Sequence, residues 1–186
     1  INFVGRDAMD IKGFGATYIM ELVHLGYLKD IADIYDLKKH REELIEQGII
    51  GKEKNTDKLL DAIEKSKQNE AFQLLTGFGI PNVGKAAAKT ILKHFGSIEA
   101  LMQADMESLQ QVADVGEVTA LCIRNYFQDE NNCKIIERLK EAGVNMEMAE
   151  SGSEDGRFDG LTFVITGTLP TMDRKAAAAL IEAHGG

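Results

Sequence analysis

The sequence has 186 residues, with 21 Lys and Arg against 30 Asp and Glu and a formal charge of −9. That balance excludes a molecule coated uniformly with cations, so contact with a polyanion has to be local. With 44% hydrophobic residues, 6% aromatics and no Trp, the composition favours helices packed through Leu, Ile, Val and Ala over an aromatic-rich β-sandwich, and the length allows one or two domains.

Four similar short turns, each followed by helical apolar spacing, organise the chain: Gly13-Phe14-Gly15, Ile50-Gly51-Lys52, Asn82-Val83-Gly84 and Asp114-Val115-Gly116. Their third residues fall at 15, 52, 84 and 116, intervals of 37, 32 and 32. Four residues beyond each turn stand Ile19, Thr56, Ala88 and Ala120, and seven beyond stand Leu22, Leu59, Ile91 and Ile123. This is one helix face written four times. A longer period of 64 relates Ile63 to Phe127, Leu75 to Leu139, Gly79 to Gly143 and Ile80 to Val144, so the four units form two pairs. Between the turns, short helices are expected over Ile31 to Leu37, Arg41 to Gln47, Glu70 to Thr76 and Ile98 to Met102, ten or more in all. Gly26, Gly48, Gly79, Gly96 and Gly143 stand where helix C-caps belong.

Residues 147–157, EMAESGSEDGR, are too polar to bury a core and read as a flexible acidic linker. Beyond it, Leu161 to Thr166 is β-branched and apolar, Gly167 to Pro170 is turn-like, and Asp173 to His184 is an Ala-rich helix. These are one strand and one helix of an incomplete α/β segment over 158–186, which predicts weak packing or disorder after about residue 150. Ile1 at the start and Gly185-Gly186 at the close of a helical pattern suggest a piece of something larger.

Cys122 and Cys133 lie outside any CxxC pair, so they form neither a disulfide framework nor a four-ligand zinc site and are expected as buried thiols in a reducing compartment. No apolar run reaches the roughly 18 residues of a membrane span, and no basic-then-apolar leader opens the sequence. A cytoplasmic monomer without membrane contact is expected.

The glycine-bearing turns point to chemistry. Residues that tolerate a left-handed backbone let the chain curl so that successive amide N–H groups face outward beside the positive end of the following helix, a concavity suited to a phosphate oxygen. Such a site grips a nucleic-acid backbone without reading bases, so binding is sequence-neutral and salt-sensitive. Lys12, Gly13, Phe14, Gly15 and Ala16 form the first candidate contact, and Asn82, Val83, Gly84 and Lys85 the third. Gly51, Lys52 and Lys54 at the second turn, and Gly116 and Glu117 at the fourth, are weaker candidates, the second because it is degenerate and the fourth because Asp114 sets a carboxylate near the anion. Residues 71–98 contain Lys85, Lys89 and Lys93 and no acidic residue, a balance of +3, whereas residues 99–157 carry 5 basic and 13 acidic groups, or −8. The three lysines, at i, i+4 and i+8, extend the third turn into a cationic stripe. A packing-only αα-hairpin linker explains one such turn but not four at near-constant spacing.

These residues resemble the helix-hairpin-helix region of bacterial NAD-dependent DNA ligases. Arg6 to Gly15 resembles the segment after that family's zinc module, Gly79 to Lys85 and Val112 to Gly116 its later hairpins, and Phe158 to Gly167, Arg174 and Gly185-Gly186 the opening of its BRCT domain. The resemblance implies a mainly α fold of tandem helix-hairpin-helix repeats, four hairpins in two pairs over residues 1–146, then the linker and an incomplete BRCT domain. It implies that the whole enzyme seals nicks in duplex DNA during replication and repair. NAD adenylates a lysine, AMP passes to a 5′-phosphate, and the 3′-hydroxyl displaces it with magnesium assistance. NAD, magnesium and zinc are thus implied for the whole enzyme, and no cofactor, metal or catalytic residue for this chain. The family's reactive lysine lies in Lys-x-Asp-Gly, whereas the nearest string here is Arg157-Phe-Asp-Gly160, and a guanidinium offers no amine lone pair. Thr166-Gly167 resembles the phosphate-pocket pair of some BRCT domains, or else caps its strand. The implied partner is nicked double-stranded DNA. Two other readings remain: a hairpin module of a repair nuclease or branch-migration protein, and a helical protein-interaction scaffold, which the charge of −9 supports best.

Overall fold

A computed structural model describes residues 1–149 and Ala178. The unit Ile1–Met148 is compact, and its regular elements among the described residues are all helical. In chain order these are α1 (Ala16–His24), α2 (Arg41–Glu46), α3 (Glu53–Ser66), α4 (Ala71–Gly77), α5 (Lys85–Phe95), α6 (Ile98–Met102), α7 (Met106–Gln110), α8 (Glu117–Gln128) and α9 (Glu130–Glu141), with 3-10 segments at Asn2–Val4 and Ile31–His40.

The repeated positions form the core. Leu22, Leu59, Ile91 and Ile123 are all buried, as are Thr56, Ala88 and Ala120, while Ile19 is half-buried. The 64-residue period also has physical content. Ile63 and Phe127, Leu75 and Leu139, and Ile80 and Val144 are buried alike, and Gly79 and Gly143 both adopt the left-handed backbone that ends a helix. Gly26, Gly48 and Gly96 do the same.

Short loops join α2 to α3, α4 to α5 and α7 to α8, and each pair packs together. Helix α4 is apolar nearly all round and buried accordingly, through Ala71, Phe72, Leu74, Leu75, Thr76 and Gly77. The opening 3-10 segment lies against it: a Cβ at Gly77 would stand 2.8 Å from the Phe3 ring, and the Asn2 amide donates to the Thr76 carbonyl at 3.1 Å.

Three expectations need correction. The segment from Ile31 is 3-10 through His40, with an Asp30 capping box at its start. Cys122 and Cys133 are half-buried, and the Cys133 thiol donates to the Phe127 carbonyl at 3.0 Å. The expected linker does not begin at Glu147. The Met148 amide donates to Gly96 O at 2.9 Å, the Ala71 amide to Glu147 O at 3.3 Å, and Ser97 and Glu147 form an antiparallel bridge. Main-chain pairing ties these residues to the helical unit, and the Met148 side chain packs half-buried against its core. The rest of that linker, 150–157, and the expected α/β segment 158–186 with Thr166-Gly167 lie outside the described residues.

Candidate nucleic-acid interface

The first, third and fourth turns share one backbone design. Gly13, Asn82 and Asp114 hold φ of 79°, 65° and 63°, and the next residue, Phe14, Val83 or Val115, is buried. The amide of that residue donates to the carbonyl three back, Ile11 at 3.3 Å, Ile80 at 3.0 Å and Val112 at 3.1 Å. A glycine then caps the helix: Gly15, Gly84 and Gly116, all with extended backbone and without a side-chain cap. The first helical hydrogen bonds run from Ile19 to Gly15, Ala88 to Gly84 and Ala120 to Gly116 at 3.2, 2.9 and 2.9 Å. The three amides before each are the orphan donors of a helix start. At α6, α7 and α9 side-chain oxygens of Ser97, Asp105 and Asp129 take such donors.

The capping glycines are not required by the fold. Gly15, Gly84 and Gly116 have φ of −74°, −86° and −83°, open to any residue. Among the described residues, a Cβ at any of them would meet nothing within 4 Å. Gly13 differs, since its φ of 79° itself favours glycine.

The second turn departs from this design. Gly51 holds φ of 101°, and Lys52 follows directly as N-cap of α3, so the buried residue between left-handed position and cap is missing. The turn bond runs from the Gly51 amide to Gly48 O at 3.2 Å. A Cβ on Gly51 would stand 3.0 Å from the Asn55 amide nitrogen, so the space over this turn is filled from within. Lys52 and Lys54 are exposed.

The expected contact residues divide by side chain. Phe14 and Val83 are 4% and 5% exposed, so their side chains belong to the core and only their main chain reaches the turn surface. Gly13, Gly15, Ala16, Asn82, Gly84, Lys85, Gly116 and Glu117 are exposed. Lys12 is exposed and pairs with Asp10 at 2.9 Å. On α5, Lys85 and Lys93 are exposed, and the Lys89 ammonium sits 5.8 Å from the Phe72 ring centroid, a cation–π contact that steadies it. The matching stripe reads Ala16, Met20 and His24 on α1 and Glu117, Leu121 and Asn125 on α8, so α5 alone among these three helices carries a cationic one.

The first turn opens onto a shallow pocket of about 700 Å³ whose lining includes Arg6, Lys12, Gly13, Gly15, Thr17 and Tyr18. Arg6 lines this pocket although turn spacing could not reveal it: it precedes the turn by seven residues and is brought there by the folded 5–11 loop.

A family model described as "Helix-hairpin-helix motif" matches residues 73–136, the stretch holding the third and fourth turns. Among curated proteins, the DNA ligase of Clostridium kluyveri is 48% identical over 185 residues, covering 99% of this chain and 28% of that protein. The DNA ligase of Desulforamulus reducens is 46% identical over 188 residues, covering 100% and 28%, and that of Trichlorobacter lovleyi is 44% identical, covering 100% and 27%. Over essentially all its residues the chain is therefore similar to a segment of bacterial proteins named DNA ligase, spanning about 28% of their length, and it carries a helix-hairpin-helix motif.

Proposed function

We propose that this chain is the non-catalytic, DNA-gripping part of an NAD-dependent ligase that seals nicks in duplex DNA. Four hairpin repeats in two pairs hold the sugar-phosphate backbone around the nick without reading sequence. The observation that carries this reading is the set of open glycine caps at Gly15, Gly84 and Gly116, which the fold does not require. A bare cap lets a phosphate approach the orphan amides of the next helix closely, where the helix dipole favours an anion.

The three turns act unequally. At the third, Lys85 begins the helix and Lys89 and Lys93 extend the positive face, so this is the strongest electrostatic contact. The first has Arg6 and Lys12 beside it. The fourth has the same backbone but sets Asp114 and Glu117 beside the anion, so it contributes geometry with weaker attraction. The second turn, without the bare cap, contributes through Lys52 and Lys54.

NAD, magnesium and zinc belong, on this reading, to other parts of such an enzyme. No lysine here stands in a Lys-x-Asp-Gly setting, and among the described residues no three His, Cys, Asp or Glu side chains gather as a metal ion would need.

Fluorescence anisotropy with nicked duplex and four-way junction over a salt series tests the proposal. The expected result is tighter binding to nicked duplex, with affinity falling as salt rises. Equal or better junction binding points to a repair or branch-migration module, and no salt-dependent binding of duplex points to a protein scaffold.

A further inference from the structure

The second repeat lacks the bare-cap turn, yet its helix α3 borders a groove beside the first turn. This groove, of about 630 Å³, lies between residues 9–12 and α3, with Met9, Lys12, Lys54, Lys58, Asp61 and Lys65 on its walls. It shares Asp10 and Lys12 with the pocket over the first turn, so the two concavities flank one short stretch of chain. Two hydrogen bonds fix that wall, from the Asn69 amide to Met9 O at 2.8 Å and from the Gln73 amide to Ala8 O at 3.3 Å.

The groove's charges do not cancel. Asp57 is held by Arg41 through Nε at 2.7 Å and Nη2 at 2.9 Å, and Asp10 by Lys12 at 2.9 Å. Lys54, Lys58 and Lys65 are exposed and enter no ion pair among the described residues, which leaves three ammonium groups against Asp61. At about 100° per residue the three lysines lie within an arc of about 40°, spread over roughly 16 Å of helix, the axial rise of about five nucleotides of one strand.

We propose that this groove carries a further stretch of sugar-phosphate backbone, continuing the strand held at the first turn, so that the second repeat grips DNA with the flank of α3. The proposal rests on the duplex-binding reading above. It favours DNA over an acidic peptide because the groove borders the pocket of the first turn, with Asp10 and Lys12 lining both.

The test uses the full 186-residue chain with lysines 54, 58 and 65 changed together (K54Q/K58Q/K65Q), and nicked duplex over a salt series. Each lost phosphate contact lowers the slope of log affinity against log salt by about 1. The slope is expected to fall by about 2 to 3 and low-salt affinity by tenfold or more, with unchanged helical circular dichroism, while K54R/K58R/K65R binds like the parent. An unchanged slope and affinity in the glutamine variant, with Gly84→Val still losing binding, overturns the groove and leaves the turns standing. Parent-like binding by Gly84→Val as well overturns the turn reading itself.

Discussion

At the residue scale, glycines at the two different positions of the repeated turn have opposite reasons to be there. Gly13 needs its missing side chain for a backbone at φ 79°, and Gly13→Val is expected to destabilise by about 1–2 kcal/mol. Gly84 has no such need. Ser is a slightly better N-cap than Gly because its hydroxyl accepts from the second or third helical amide, so Gly84→Ser is expected to leave the melting temperature unchanged or raise it slightly. The same hydroxyl occupies donors that the proposed function assigns to phosphate, and duplex affinity is expected to fall. Thermal unfolding beside anisotropy separates the effects, and a variant that binds DNA like the parent removes the role assigned to the bare cap. Much of this was legible in advance, because positive-φ positions select Gly, Asn and Asp and the sequence prints them at 13, 82 and 114. Hidden from it was that Ile50-Gly51-Lys52 is one residue shorter between left-handed position and cap, since the match in residue type concealed the offset.

Between elements, the 3-10 segment Ile31–His40 is bound to α9 by one guanidinium. Arg138 donates to Asp30 at 2.9 Å, Asp33 at 2.7 Å and Asp36 at 3.1 Å, a link between residues about a hundred positions apart that no local pattern announces. Burial pushes the Asp33 carboxyl up, but hydrogen bonds from Arg138 and the Lys29 and Asp30 amides outweigh it and hold the group below the usual carboxylate range. Hydrogen bonds from Lys39, against some burial, and then from Arg138 do the same for Asp36. Carboxyls lowered in the folded state stabilise above their unfolded value of about 3.9, and that contribution disappears as pH falls through the lowered values. Arg138→Leu is expected to lose about 1–2 kcal/mol at neutral pH, discounted because the guanidinium is 40% exposed. It is also expected to flatten the decline of stability below about pH 4. Denaturant unfolding at several pH values checks both, and an acid limb parallel to the parent's would show that the clamp does not set it.

For the whole molecule, both ends of the helical unit are fastened to its middle. Asn2 is bonded to Thr76, while the closing stretch meets four separate stations: the Asn145 amide donates to Lys67 O at 2.9 Å, Ile98 to Met146 O at 2.9 Å, Ala71 to Glu147 O at 3.3 Å and Met148 to Gly96 O at 2.9 Å. Val144 and Met146 are buried there. Removing residues 144–186 is therefore expected to lower the melting temperature well below that of a chain ending at 149, and calorimetry of the two truncations measures it. Equal melting temperatures would mean that this seam adds nothing. The helical class and the repeat were readable because the same apolar spacing recurs through the chain. The seam was not, because Glu147 holds on by backbone and Met148 is one apolar residue in a polar stretch, so composition does not register it.

That seam also orders events in time. Within this unit Ile1 leaves the ribosome before Met148, yet α4 has Asn2 at one end and Glu147 at the other. The nascent polypeptide consequently holds an apolar helix with one end uncovered until the final residues of the unit emerge, which makes completion of this unit, and not the appearance of any single repeat, the moment at which it locks.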